Sequence, residues 1–110
     1  MASSTKFDYE FSSSATKEYI EIVDFLNEFS HSAAEKFNHE LFYKIELICL
    51  KTVQYALSRM KELADKGYRN VFFHNYVMLY KIKDNTVFIA HIFHQSRDYA
   101  ALLHDDDEAE

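Results

Sequence analysis

Residues 67–103 read GYRNVFFHNYVMLYKIKDNTVFIAHIFHQSRDYAALL, and the periodicity of that stretch decides the fold. After Gly67, Arg69, Val71 and Phe73 alternate with Tyr68, Asn70 and Phe72, and Tyr76, Met78, Tyr80 and Ile82 alternate with Val77 and Leu79. A third run extends from Val87 to Phe93. A period of two is the signature of a β-strand, because successive side chains leave opposite faces. Asp84-Asn85 separates the last two runs, and Asn tolerates positive φ well enough to make a two-residue hairpin turn. The stretch is therefore a three-stranded meander.

Upstream, Phe7, Tyr9 and Phe11 alternate with Asp8, Glu10 and Ser12, which predicts a first strand over Lys6–Ser12. Ser13 and Ser14 are candidate N-caps for a helix that carries Tyr19, Ile22, Val23 and Leu26 on one stripe and runs to about Phe29. Ser32, with Glu35 three residues on, forms a candidate capping box for a second helix. Its stripe is Ala34, Phe37, Leu41, Ile45 and Ile48, widened from Leu47 onward by Leu50, Val53 and Leu57. The chain lacks Pro, and its one Gly is Gly67. The helical pattern is thus expected to persist to Lys66, with room for a break near Leu57–Arg59, and to stop at Gly67 as C-cap. The order is β-α-α-β-β-β, an α+β domain in which a helical hairpin packs on a small, mainly antiparallel sheet.

The 110 residues, 48% hydrophobic and 16% aromatic, suffice for one core, so 1–104 reads as a single domain. Cys49 is the one cysteine, which excludes an internal disulfide and suits a reducing cytoplasm; it reads as a small buried hydrophobe rather than a nucleophile. No apolar run has the length of a membrane span, and Met-Ala-Ser-Ser-Thr lacks the regions of a signal peptide. The net charge of −6 owes five acids to the tail 105–110, which reads as solvated and disordered; the remainder stands at −1. With no basic excess, nucleic acid is not the default ligand.

The ordered set formed by Gly67 and Arg69, Tyr76 to Tyr80 and Ile82, then Val87, Ile89, Ile92, His94, Arg97 and Asp98, with Leu102 and Leu103, resembles the RelE/ParE superfamily of bacterial type II toxins, often labelled plasmid stabilisation proteins. The resemblance covers nearly the whole chain. It implies a small toxin held inactive by a cognate antitoxin, acting either on the ribosome, where RelE-like members cut messenger RNA, or on DNA gyrase, as ParE-like members do. Metal-free cleavage of RNA needs a base, an acid and cations for the phosphorane charge. Arg97 falls where RelE-like nucleases carry one arginine, but Val77 stands where they carry another and Leu103 where they carry a tyrosine. The ParE-like pattern keeps Arg69, Tyr80, Arg97 and Asp98, so the resemblance implies target contact through Arg69, His94, Arg97 and Asp98, with gyrase as the target. His94 and Arg97 would be catalytic only in a nuclease, with Lys81 or Lys83 holding phosphate. A non-toxic relative serving as a binding module is the third reading.

No cofactor or metal is expected. His91 and His94, three apart on a strand, leave opposite faces, and His74, His91 and His94 each read as structural or surface residues, with His94 the best functional candidate. Arg97 and Asp98 equally suit capping a terminal helix or pairing with Arg69, itself a candidate core-edge ion pair. Lys81 and Lys83 share a strand side with Val77 and Leu79 and read as a solvated edge. Tyr76 and Tyr80 read as packing residues. Leu50, Val53, Leu57 and Met60, on the widened helix stripe, are either an added layer of core or an interface for an antitoxin helix or a second protomer.

Overall fold

The computed structural model describes residues 6–96. In chain order the elements are β1 (Asp8–Phe11), α1 (Ser13–Phe29), α2 (His31–Cys49), α3 (Lys61–Asp65), β2 (Arg69–Phe73), β3 (Tyr76–Lys83) and β4 (Thr86–His94). The sheet order is β1-β4-β3-β2, with β1 parallel to β4 and the other pairs antiparallel. This is the α+β arrangement the sequence pattern predicts, with α3 added.

The turns follow local backbone chemistry. Asp84 and Asn85 both take left-handed φ, 53° and 61°, as a two-residue hairpin of the primed type requires. His74, at φ 53°, opens the equally short β2–β3 link. Ser12, one residue before the expected caps, is the N-cap of α1: its Oγ accepts from Ala15 N at 2.9 Å. Ser30, not Ser32, caps α2, accepting from Ala33 N at 3.3 Å, and it also closes α1 by donating its backbone N–H to Leu26 O. One residue thus serves as both the end of α1 and the start of α2. Glu35 forms no capping box and instead meets His31 at 3.2 Å.

The second helix is shorter than its apolar stripe implies. It ends at Cys49, where Lys51 adopts φ 63°, Lys51 N–H bonds Ile48 O and Thr52 N–H bonds Leu47 O, both at 3.0 Å. These are the paired bonds of a Schellman stop, normally built on Gly at the left-handed position. Here tertiary contacts hold a lysine there: Phe7 N–H bonds Cys49 O at 2.9 Å, and Lys51 Nζ lies 4.5 Å from the Phe7 ring centre. The following segment then runs beside β2, with Asn70 N–H to Ala56 O at 3.1 Å and Ser58 N–H to Tyr68 O at 2.9 Å, and covers that edge of the sheet. Gly67, at φ 89°, makes the same stop after α3, with Tyr68 N–H to Leu63 O and Gly67 N–H to Ala64 O, both 3.0 Å.

Both sheet faces carry apolar packing. Phe37, Leu41, Ile45 and Ile48 of α2 pack on Val71, Met78, Tyr80, Ile89 and Ile92 in the main core. On the opposite face, Val77, Leu79 and Phe93 pack with Leu63 of α3. Ile89 and Ile92 share a face although three apart because β4 bulges: Tyr80 pairs with Ile89 but Leu79 with His91, leaving Ala90 without a counterpart. Since β1 pairs no further than Ile89, the β4 edge beyond it needs other partners. Ser12 Oγ donates to Ala90 O at 2.7 Å, while Glu18 accepts from Ile92 N–H and meets His91 Nδ1, both at 2.9 Å.

Replacing Glu18 with Ala leaves a buried strand N–H without its acceptor and is expected to cost about 1.5–3 kcal/mol in urea unfolding. The same change at exposed Glu21 should stay within about 0.5 kcal/mol.

Candidate functional site

The end of β4 is where the structure places the strongest functional candidate from the sequence. Tyr76, first in β3, pairs in register with His94, last in β4, and their rings meet edge to face with centroids 5.4 Å apart. Tyr76 is wedged in turn against Phe37 at 5.0 Å, and burial pushes its phenol pKa up. His94 is exposed; its Nδ1 accepts from Ser96 N–H at 3.2 Å and lies 2.9 Å from Ser96 Oγ. A neutral ring held this way carries its proton on Nε2, which leaves one outward N–H donor.

His94 and Tyr76 form a ridge between two open hollows. Lys36, Phe37, Leu26 and His74 line one; Glu18, Glu21, Ile22 and Phe25 line the other. The ridge therefore presents one donor between a basic and an acidic wall, an arrangement suited to gripping charged groups of a partner. Lys36 and Glu21 were not apparent as site residues, because both are ordinary solvent-side helix residues in the sequence. Glu18 left a readable trace: it follows buried Ala15 by three, a carboxylate beside the apolar stripe.

Arg69 does not join this ridge. It pairs with Tyr80, four positions along β3 from Tyr76, so strand geometry sets it roughly 17 Å from His94. Its Nη1 donates to Tyr55 O at 2.6 Å and so ties the 50–60 segment to the sheet; among the described residues no carboxylate pairs with it. Tyr80 beneath it is completely buried; burial raises its pKa, partly opposed by the hydrogen bond from Tyr55 N–H and by the Arg69 charge. Arg97, Asp98 and Leu103, and the tail 105–110, lie outside the described residues.

Leu50, Val53, Leu57 and Met60 do not share a helix face, because α2 stops before Leu50. Leu50 and Leu57 are 48% and 45% exposed, Val53 is half-buried, and Met60 packs on the Leu63 cluster. Lys81 and Lys83 do lie on the Val77 side of β3, but β3 is an inner strand, so they are not an edge. His91 is buried against Glu18 and His74 sits exposed in a turn. Cys49 is 2% exposed, and burial, followed by smaller opposing effects of Lys6 and of Asp8 and Glu46, leaves its pKa raised, the opposite of an activated thiol.

Among solved structures, one described as the chromosomal ParDE TA system from P. aeruginosa matches with a TM-score of 0.64 at 12% identity, covering 82% of this chain and 97% of that one. At that identity the likeness establishes the fold, a small α+β domain with a helical hairpin on one side of its sheet. A family model described as "ParE toxin of type II toxin-antitoxin system, parDE" matches residues 9–99, and the chain belongs to that family. No curated protein matches by sequence. No described helix is long and apolar enough to cross a membrane.

Two outcomes follow from the buried titratable groups. Since the folded protein holds the Tyr80 proton beyond the ordinary value of 10.0, stability is intact below that pH and falls as pH climbs through the raised value. Tyr80→Phe should therefore lose less stability between neutral and strongly alkaline pH than the parent, in paired denaturation curves. Cys49 should resist a thiol reagent in the native protein and react fully in denaturant, read by mass spectrometry.

Proposed function

We propose that this protein is the toxin of a type II toxin-antitoxin pair, that it acts by binding and inhibiting DNA gyrase in the bacterial cytoplasm, and that a cognate antitoxin neutralises it. The observation that carries the choice of target is Val77. It is fully buried among Leu63, Leu79 and Phe93. The resemblance puts an RNA-cutting relative's arginine at this position, and a cation there would be desolvated inside an apolar cluster at a cost of several kcal/mol (~). The face at Val77 thus supports a gripping protein over a metal-free nuclease.

In this reading His94 leads target contact from its ridge, with Arg97 and Asp98 following it in the chain. Arg69 serves the same contact from the β2 side of the sheet or, through Tyr55, by holding the 50–60 segment. Leu50 and Leu57 offer the antitoxin exposed apolar surface, with Val53 and Met60 flanking them in the chain.

Inducing the chain alone in bacteria should arrest growth with a DNA-damage response and intact messages, and co-expression with the neighbouring antitoxin gene should restore growth. Purified protein should inhibit gyrase supercoiling, and His94→Ala should weaken that inhibition about tenfold, as loss of one contact worth ~1.4 kcal/mol does. Rapid loss of translation with cleaved messages, or unimpaired growth at confirmed soluble expression, would overturn the reading.

A further inference from the structure

Helix α1 leaves large apolar side chains in water that the core does not use. Ile22 reaches the main core, but Phe25 and Phe29, further along the same helix, are 53% and 73% exposed and meet each other edge to face at 5.0 Å. With Glu18, Glu21 and Ile22 of its own helix and Ile92 of β4, Phe25 lines the open hollow on one side of the His94 ridge. Scattered exposed apolar residues need no explanation, but two adjoining rings that continue a hollow form a patch of the kind partners cover.

The charge around these rings has one sign. Glu18 and Glu21 line the hollow and no lysine or arginine does. Glu18 is engaged by His91 and by Ile92 N–H. Glu21, with Asp24 and Glu28 beyond it, is exposed, and among the described residues no cation lies within ion-pair distance of these three. Lys17 is the single base of α1, and residues 13–49 as a whole carry seven acids against three bases. Lys36 stands beyond the ridge, in the other hollow. The lining and the field of the whole hairpin therefore agree in sign.

We propose that this face of α1 docks a short cationic amphipathic helix of a partner protein, with the partner's apolar side on Ile22, Phe25 and Phe29 and its lysines or arginines against Glu21 and Glu28. The inference rests on the His94 ridge being a surface that meets a protein. Charge selects this occupant over others. A second copy meeting the same face would set Glu21 and Glu28 against their own counterparts, an anionic lipid surface or nucleic acid would be repelled, and residues 97–110 bring one arginine against six acids. A helix fits better than an added strand, because Glu18 already takes Ile92 N–H at this edge of the sheet. The stripe from Ile22 to Phe29 runs along α1 for about two turns, the length that helix-in-groove recognition reads. The rings supply the buried area and the carboxylates set orientation and encounter rate.

The probe is a synthetic helix of about twelve residues with leucine on one face and lysine on the other, beside the same peptide with glutamate for lysine. On the full chain the lysine peptide should shift the amides of Glu21 to Phe29 and of His94, and the glutamate peptide should shift none of them. Its Kd should rise about tenfold in Phe25→Ser/Phe29→Ser and at least about threefold in Glu21→Gln/Asp24→Asn/Glu28→Gln. It should stay within about twofold in Glu10→Gln/Glu35→Gln/Glu46→Gln, which removes the same charge elsewhere, at about 0.15 M salt, where charges beyond roughly 8 Å are screened. Equal losses in the two charge triples, shifts centred elsewhere, or equal binding of both peptides would overturn the proposal. So would a dimer of the chain, or adhesion to anionic vesicles, that depends on Phe25 and Phe29. Gyrase inhibition by a protein that binds no peptide at α1 overturns this inference alone, whereas peptide bound at α1 by a protein that leaves supercoiling untouched overturns the gyrase reading alone.

Discussion

The bulge at Ala90 and the polar clamp around it are what the rest of the molecule depends on. A four-stranded sheet whose outer strand has only four residues cannot satisfy the whole edge of a nine-residue neighbour. Ser12 and Glu18 finish that edge, the first as both helix cap and donor to Ala90 O, the second as acceptor for Ile92 N–H. The first two turns of α1 thereby fix the helix to the strand. The extra residue also returns Ile92 and His94 to the helix side of the sheet, so that Ile92 enters the main core and His94 emerges beside Tyr76.

From that constraint the two faces of the sheet take different characters. The hairpin side is a deep apolar core closed at one end by the edge-to-face row Phe37–Tyr76–His94. The other side is apolar under α3, around Val77, Leu79 and Phe93, and becomes polar and mixed in charge toward Lys81, Lys83, Glu10 and Asp84. The His94 ridge and the hollow at Lys81 and Lys83 therefore lie on different surfaces. That separation suits a protein recognised by more than one partner, because contacts on one surface leave the other free.

Much of this was legible in the residues, and the failures have identifiable causes. The meander and its Asp84–Asn85 turn follow from local rules, alternation and tolerance of positive φ, and the structure matches them. The end of α2 did not follow, because the left-handed position is taken by Lys51, and the contacts that hold it there come from Phe7, over forty residues away. The apolar residues after Cys49 continue a helical spacing that the chain never realises. Likewise Lys81 and Lys83 have the look of an edge, and only the strand order puts them in the interior of the sheet.

By itself the sequence determined the four strands, the helical hairpin, the turn, the α+β class and the family, since each rests on short-range periodicity or on an ordered set of residues along the chain. Tertiary structure alone decided which residues share a surface. It set Arg69 and His94 on opposite sides of β3, four positions apart along it, buried Val77 in an apolar cluster, and brought Glu18 to a strand seventy-four residues away. The physical reason is that such placements depend on strand order, on one bulge and on which backbone groups lack partners, and none of these is a property of any local stretch of chain.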